Sequence, residues 1–271
     1  MNKLFDLIIT LYNSGKSDFE NRLKNLICVV ESVPSNVNLI LVEQTISNRE
    51  TFISNISDEF SHTKINKVFL EYDGPFNKSW LYNIGVKHHS VTNNILLGES
   101  DIIFDPLYFS KLYNYVNSYR TAKNNWCMGW DKVVYLNEEK TDVENNPKFN
   151  HMNNCVPDIY YCCGMVVHFN KNFYWSIGGA NESIKGAAGV DNCLACRAKS
   201  ASNDIMLKFP YTIHHYYHDR NYDVNDWNLE ENKKYLKKII KNPKKMITEL
   251  LKNIDSLGMM DKPCDSINRD I

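Results

Sequence analysis

The stretch that decides the fold class runs from Asn93 to Pro106 and reads Asn-Asn-Ile-Leu-Leu-Gly-Glu-Ser-Asp-Ile-Ile-Phe-Asp-Pro. The apolar run Ile95–Leu97 has the length and composition of a buried parallel strand. Glu99 and Asp101 follow it directly, and carboxylates between buried hydrophobic residues are costly unless a partner such as a divalent cation pairs with them. Because ligands bind beyond the carboxyl ends of strands in open α/β sheets, the acidic pair predicts a site for a metal and a phosphate-bearing ligand. A strand end with a solvated turn is the alternative, since acidic residues commonly end strands.

Strands and helices alternate on the amino-terminal side of this stretch. Apolar runs predict strands at Phe5–Leu11, Val37–Val42 and Lys67–Leu70, and helical spacing predicts helices from Asp18 to about Val33, over 48–58 and from Phe76 to Lys87. Such alternation forms βαβ units, and therefore an α/β fold with a Rossmann-like, mostly parallel central sheet flanked by helices. Neither the dinucleotide fingerprint Gly-x-Gly-x-x-Gly nor the P-loop motif occurs.

On the carboxyl-terminal side the same patterns continue with longer connections. They predict a helix at 107–119, a strand at 126–130, an exposed loop at 138–156, a strand over Ile159–Phe169, a helix at 190–200, a strand near 207–211 and two lysine-rich helices divided at Pro243. A loop as long as 138–156 within a compact domain is usually functional or mobile.

Composition limits the function classes. The 271 residues are 43% hydrophobic, which is ample for a buried core, and the net charge of −1 argues against a uniformly basic nucleic-acid-binding surface. No apolar run is long enough to span a bilayer, and the first residues do not form a signal peptide. The eight cysteines form no regular framework, so we expect a reducing, cytoplasmic location. The abundance of Lys, Asn, Ile and Tyr is typical of an AT-rich genome, so we expect a bacterial or virus-infected cell. Cys193 and Cys196 have no second pair, which favours core packing over a zinc or redox site.

Four motifs occur in a fixed order. They are Phe76-Asn77-Lys78-Ser79 at the start of a helix, Glu99-Ser100-Asp101, Gly178-Gly179 followed by Gly186-Ala187-Ala188-Gly189-Val190-Asp191, and a histidine cluster that ends at His218. In this order and spacing the motifs resemble those of the GT-A glycosyltransferases, and the resemblance is closest to the β-1,4-galactosyltransferase and chondroitin-polymerase type. It covers roughly residues 4 to 222.

The resemblance implies a metal-dependent transfer from a nucleotide sugar. Mn²⁺ or Mg²⁺ would stabilise the departing nucleoside diphosphate by binding its phosphates. Asp101 would be the main metal ligand and His218 would complete the shell, with His214 and His215 as competing candidates. Glu99 would contact the ribose or a metal-bound water.

The resemblance also assigns a catalytic residue. Asp191 would take the proton from the acceptor hydroxyl in an inverting displacement, whereas the alternative is an ordinary first-turn aspartate that interacts with the helix dipole. Lys78 would bind the diphosphate or the base as a point charge. The remaining residues predicted to contact the nucleotide sugar are Asn77 and Gly179, together with Tyr12, Glu43 and Gln44 at the ends of the first two strands.

Two departures from the family pattern leave the substrate open. Val190 stands where the galactosyltransferases have an acidic residue that contacts the acceptor, and Ala187 stands where they have a tryptophan near the sugar. We therefore expect a UDP-sugar donor without assigning the sugar, and an acceptor that is either a glycan or hydroxymethylated viral DNA. A sugar nucleotidyltransferase and a catalytically degenerate binding module are the alternative functions.

The predicted domain organisation follows from these motifs. Residues 1–225 would form the glycosyltransferase domain, with a nucleotide-binding half (1–105) and an acceptor half (106–225), and residues 226–271 would form a helical extension. Eight lysines lie between Lys233 and Lys252, opposed only by Glu249. They form a solvated face, or a surface that binds nucleic acid or anionic lipid.

Overall fold

The computed structural model of the chain describes residues 3–13, 15, 19–57, 65–119, 125–136, 165–186, 189–203, 206–216 and 229–263. Asp18, the predicted loop 138–156, Ala187 and His218 lie outside the described residues.

The first half of the chain alternates strands with helices, as the apolar pattern predicts. Its elements are β1 (Phe5–Tyr12), α1 (Phe19–Ser32), β2 (Val37–Thr45), β3 (Ile65–Glu71), α2 (Lys78–Ile84), β4 (Asn94–Gly98), β5 (Ile102–Ile103) and α3 (Tyr108–Ser118). The second half contributes shorter strands and the remaining helices. These are β6 (Trp126–Met128), β7 (Lys132–Tyr135), β8 (Val166–Asn170), α4 (Lys171–Ser176), α5 (Val190–Ala201), β9 (Leu207–Lys208), β10 (Thr212–His215), α6 (Leu229–Lys241) and α7 (Pro243–Lys252).

The described strands form a large sheet in the order β3-β2-β1-β4-β8-β6-β9. Strands β3, β2, β1 and β4 are mutually parallel, and β8 pairs antiparallel with β4 and with β6. The three central strands are continuous apolar runs because both faces of a parallel sheet are covered, and Ile8, Ile40 and Leu96 are fully buried. The predicted mostly parallel α/β sheet flanked by helices is confirmed.

A second, small sheet in the order β5-β10-β7 lies beyond the end of β4. Strand β10 pairs antiparallel with β5, where His215 faces Ile102, and the Tyr216 amide donates to the Asp101 carbonyl at 2.8 Å. This pairing fixes the histidine-bearing strand beside the acidic pair. The strand predicted near 207–211 is shorter in the structure, where β9 covers only Leu207–Lys208 and the next strand, β10, begins at Thr212.

The predicted helix over 48–58 is wrong across its described part. Only Ile53–Asn55 forms a single 3₁₀ turn, and Asn48 has a left-handed backbone with φ of 65°. The buried carboxylate of Glu43 accepts hydrogen bonds from the amides of Phe52 and Ile53, at 2.9 and 2.8 Å. This tertiary contact caps the start of the turn, and the turn ends at Ile56, whose backbone is extended with φ of −86° and ψ of 116°.

The two lysine-rich helices pack on α5 and against glycines near the site. A Cβ added at Gly178 would lie 2.4 Å from the Leu250 Cβ, and one added at Gly189 would lie 2.6 Å from Leu236 Cδ1. The helices themselves are confirmed, whereas the division into domains at residue 225 stays a prediction. Among the described residues, no helix has both the length and the apolar character that crossing a membrane requires.

Candidate active site

Glu99, Asp101 and His215 form a cluster at the carboxyl end of β4. One possible ligand atom from each residue lies within 4.8 Å of the others, and His215 Nε2 is 3.5 Å from Asp101 Oδ2. The Glu99 amide donates to the Met165 carbonyl at 3.0 Å, which anchors the acidic turn on the start of β8. Two carboxylates and an imidazole form a donor set that suits Mn²⁺ in particular, since this ion accepts nitrogen as well as oxygen ligands.

The structure separates two of the three candidate histidines. Neighbouring residues of a strand point to opposite faces, so His214 and His215 cannot both face Asp101. His215 is buried and joins the acidic cluster, whereas His214 does not belong to it. A metal-binding role for His218 stays a prediction, because that residue lies outside the described range.

Lys78, the first residue of α2, joins the acidic cluster to the predicted catalytic aspartate. Its ammonium is 3.1 Å from Glu99 Oε1 and 3.2 Å from Asp191 Oδ2, and only 7% of the residue is exposed. Burial disfavours the charged form of Lys78 and by itself would lower its pKa. The attraction of Asp191, and then of Tyr82 and Glu99, is together larger, so the pKa of Lys78 is raised well above its ordinary value. The site therefore contains a permanent internal cation.

Asp191 lies in the first turn of α5. The turn is entered through Gly189, whose φ of 86° belongs to the left-handed region that glycine adopts without strain. Burial raises the pKa of Asp191, the nearby Lys78 ammonium opposes this shift, and the charge of Glu99 adds to it. A carboxylate with a raised pKa is a stronger base, which agrees with the predicted role in proton transfer.

Asn77 and Gln44 hold the start of α2 in place. The Asn77 side chain accepts from the Trp80 amide at 3.0 Å and donates to the Glu182 carbonyl at 2.7 Å. Gln44 accepts from the Asn77 amide at 3.1 Å and donates to the Gly74 carbonyl at 2.9 Å. Both side chains are buried and orient Lys78, and their contact with a nucleotide stays a prediction.

Tyr12 and Glu43 end neighbouring strands but have different surroundings. The Tyr12 ring stacks on Phe76, with centroids 4.9 Å apart and planes 15° apart. Glu43 is fully buried, and burial raises its pKa to about 7 despite the two backbone hydrogen bonds from Ile53 and Phe52. Tyr12 is placed where a base could contact it, while the Glu43 carboxylate binds the protein's own backbone, so nucleotide contacts of both residues stay predictions.

A buried polar network behind the site received no role from the sequence. Asn83 Nδ2 donates to Glu182 Oε1 at 2.7 Å and to the Ala180 carbonyl at 2.8 Å, and the Gly258 amide also donates to Glu182 Oε1 at 2.6 Å. Gly179 packs directly on this network, since a Cβ there would lie 2.8 Å from Asn83 Oδ1. The signal that could have revealed the network is an asparagine within the apolar run Trp80–Ile84, because buried polar groups require partners.

The arrangement can separate charge across a small distance. Lys78 Nζ contacts both Glu99, a member of the acidic cluster, and the Asp191 carboxylate, beyond the carboxyl end of β4 where α/β proteins bind ligands. A cation and an ammonium in one buried site can stabilise an anionic leaving group, while a carboxylate beyond them can accept a proton.

No protein-family model matches the sequence, and no curated protein matches it. Solved structures do match the fold. TarS from S. aureus, residues 1–349 in complex with UDP, has a TM-score of 0.60 at 12% identity, covering 94% of this chain and 70% of that chain. The mannosyltransferase PcManGT from Pyrobaculum calidifontis, in complex with GDP-Man and Mn²⁺, has a TM-score of 0.56 at 11% identity, covering 95% and 74%.

A further match is GalNAc-T7 with UDP, GalNAc and Mn²⁺, at a TM-score of 0.57 and 9% identity, covering 87% of this chain and 47% of that chain. At these identities the likeness establishes architecture and leaves the type open. The chain has the fold of the GT-A glycosyltransferases.

Proposed function

We propose that the protein is a metal-dependent glycosyltransferase that moves a sugar from a nucleotide-sugar donor, a UDP-sugar, to an acceptor hydroxyl. The observation that carries the proposal is the cluster of Glu99, Asp101 and His215 joined through Lys78 to Asp191. The matched structures support it, since TarS was solved with UDP, PcManGT with GDP-Man and Mn²⁺, and GalNAc-T7 with UDP and Mn²⁺.

The residues take complementary roles in such a transfer. Glu99, Asp101 and His215 would hold Mn²⁺ or Mg²⁺, which when bound supplies charge stabilisation for the leaving diphosphate. Lys78 adds a positive charge, and Asn77 and Gln44 hold the start of the helix that carries it. Asp191 accepts the proton of the acceptor hydroxyl while that oxygen attacks the anomeric carbon, which gives inversion in a single displacement.

A second candidate is a binding module that keeps the fold without transfer. Its supporting observations are that the Asp191 carboxylate is held by Lys78 and that the neighbouring Val190 is a buried apolar residue. Such a module would bind nucleotide sugars without turnover.

The test is release of UDP from a panel of UDP-sugars, with Mn²⁺ or with EDTA, in the presence of glycan acceptors. We expect release from one sugar with Mn²⁺, none with EDTA, and loss of release in Asp101→Ala. The control variant is Asp131→Ala, which removes an exposed aspartate outside the cluster. Stabilisation by a UDP-sugar without turnover would favour the binding module, and absence of both effects would contradict the proposal.

The proposal also covers the acceptor of the sugar and the cellular compartment of the reaction. A glycan is the acceptor that we favour, with hydroxymethylated DNA as the second choice and the cytoplasm as the compartment. The lysines of α6 and α7 bear on this choice, because Lys234, Lys237, Lys241, Lys244 and Lys245 are exposed and complement a polyanion such as DNA or anionic lipid. Retention of the protein on DNA or on anionic vesicles at low salt would identify the partner of this lysine-rich surface. No retention on either would indicate that the surface is only solvated.

A further inference from the structure

Lys78 and the predicted metal share a ligand. The Lys78 ammonium lies 3.1 Å from Glu99 Oε1, and Glu99 is also one of the three residues that could hold a divalent cation. A carboxylate oxygen that accepts from an ammonium at this distance has a lone pair engaged with it. A divalent cation that binds Glu99 would be repelled by the nearby ammonium, and the two cations would compete for the negative charge of the same carboxylate.

The second partner of Lys78 gives the ammonium an alternative position. Asp191 Oδ2 lies 3.2 Å from the same nitrogen, so Lys78 can keep one carboxylate partner when it loses the other. The Tyr82 ring, whose centroid is 5.5 Å away, adds a weaker attraction for the cation. The sharing is enforced by burial, since only 8% of the Lys78 side chain is exposed and the ammonium cannot turn to bulk water.

We propose that Lys78 is an internal cation that competes with the divalent metal for Glu99 and restrains the Asp191 carboxylate until metal and donor bind. This inference rests on the proposed function, because it takes the Glu99, Asp101 and His215 cluster as the metal site and Asp191 as the base. A metal held by Glu99 would repel the ammonium toward Asp191, and the negative charge of a donor diphosphate would attract the ammonium away from Asp191. With both bound, the Asp191 carboxylate would be free to accept the proton of the acceptor hydroxyl.

The first test measures binding of Mn²⁺ alone, without donor, by electron paramagnetic resonance and calorimetry. Lys78→Met removes the competing charge while keeping an unbranched side chain, and we expect it to bind Mn²⁺ roughly tenfold more tightly than the wild type, since close like charges repel strongly in a buried site. Lys132→Met, which removes an exposed lysine from β7, is the matched control and should bind Mn²⁺ as the wild type does. Affinity in Lys78→Met that is unchanged or weaker overturns the inference.

A double-mutant cycle tests whether the effect passes through the shared ammonium. In Asp191→Asn the lysine has only Glu99 as a carboxylate partner, so Mn²⁺ binding should weaken; the same substitution in the Lys78→Met background should change it less. Equal effects of Asp191→Asn in both backgrounds would show simple long-range electrostatics and contradict the sharing.

The wild type also provides a direct measurement, in which a variant is needed only to assign one resonance. The ¹⁵N resonance of the buried Lys78 ammonium, assigned by its loss in Lys78→Arg, should shift on titration with diamagnetic Mg²⁺. No shift at saturating Mg²⁺ would exclude competition at Glu99. Failure of the wild type to bind either ion would contradict the proposed metal site itself, which separates that failure from failure of the lysine inference.

Discussion

Two carboxylates, Glu43 of β2 and Asp191 of α5, show that the surroundings of an acidic residue, rather than its type, decide what it binds. Burial raises the pKa of both. Glu43 accepts hydrogen bonds from two backbone amides, so it organises the protein's own turn. Asp191 instead pairs with the Lys78 side chain, which a ligand can displace. The sequence places both residues near the ends of secondary-structure elements. It does not predict their different partners, because those are residues outside each element that the fold brings into contact with each carboxylate.

Replacing Asp191 with asparagine should lower kcat by about 10²- to 10⁴-fold, the usual contribution of a positioned general base. Binding of UDP at saturating Mn²⁺ should remain, since the metal-ligand cluster is intact. The measurement is UDP release under saturating donor and acceptor, with Asp131→Asn as the control for loss of an exposed aspartate. A kcat within a few-fold of the wild type would remove Asp191 from the base role.

Glu43 should make stability depend on pH. Its pKa rises from 4.5 to about 7 on folding, so the native state holds a proton that the unfolded state has already lost between these values. This contribution to the free energy of unfolding is fully present below pH 4.5 and is lost as pH rises through about 7, and amounts to about 3 kcal/mol.

Denaturant titrations of the wild type and Glu43→Gln across pH 4.5 to 8 measure this contribution. The variant lacks one side-chain oxygen that accepts from a backbone amide, and this lowers its free energy of unfolding equally at every pH. The readout is therefore how steeply the free energy of unfolding changes with pH in each protein. The exposed Glu71→Gln serves as control. Parallel pH profiles for wild type and Glu43→Gln would contradict the assignment.

At the scale of elements, the sequence predicts what local patterning encodes. The apolar runs of β1, β2 and β4 and the helical spacing of α1 and α5 are confirmed, because each buries a face that its own residues define. The predicted helix over 48–58 is wrong in its described part, because the turn starts where the distant Glu43 carboxylate caps it and the backbone is extended again at Ile56, and local spacing encodes neither feature. The placement of His215 and the Lys78 pairs were likewise beyond local patterning, since Lys78 and Asp191 are 113 positions apart in sequence.

Gly179, in the turn between α4 and α5, should tolerate no side chain. Its φ of 57° already disfavours other residues, and an added Cβ would lie 2.8 Å from both Asn83 Oδ1 and a Trp175 ring carbon. We expect Gly179→Ala to lower the free energy of unfolding by about 2–4 kcal/mol, combining backbone strain with overpacking.

Gly15→Ala is a matched control for the backbone part of that cost. Gly15 has a comparable φ of 74°, but the atoms nearest an added Cβ belong to the end of the Arg49 side chain, which can move. Thermal and denaturant unfolding of the two variants isolates the contact with Asn83. Equal losses of stability would show that backbone strain alone accounts for the effect at Gly179.

At the scale of the whole molecule, the carboxyl-terminal helices are part of the structure that supports the site. The Trp80 indole donates to the Met259 carbonyl at 2.7 Å, and Lys87 Nζ donates to the Leu257 carbonyl at 2.7 Å. The Gly258 amide donates to the fully buried Glu182. Helix α2, which carries Lys78, is therefore held from behind by residues 257–259.

A chain that ends at Asn242 should lose stability rather than shed an independent extension. The shortened chain lacks the buried Met246 and Leu250, and it removes the hydrogen bond from Gly258 to Glu182. We expect the free energy of unfolding to fall by about 5 kcal/mol or more, which is comparable to the stability of a whole domain. Denaturant unfolding against a chain that ends at Pro263, which keeps every one of these contacts, measures the loss. Equal stability of the two chains would support an extension that folds by itself.

The bond between Gly258 and Glu182 also has a consequence for how the protein is made. The two residues are 76 positions apart, so at translation rates of about 5–20 residues per second Glu182 is synthesised roughly 4–15 s before Gly258. Throughout that interval the nascent chain has the strands of the large sheet but lacks the Gly258 amide that donates to Glu182 behind α2. The support of α2 is therefore completed late, and a ribosome stalled before Gly258 would carry a sheet whose buried polar network lacks one donor.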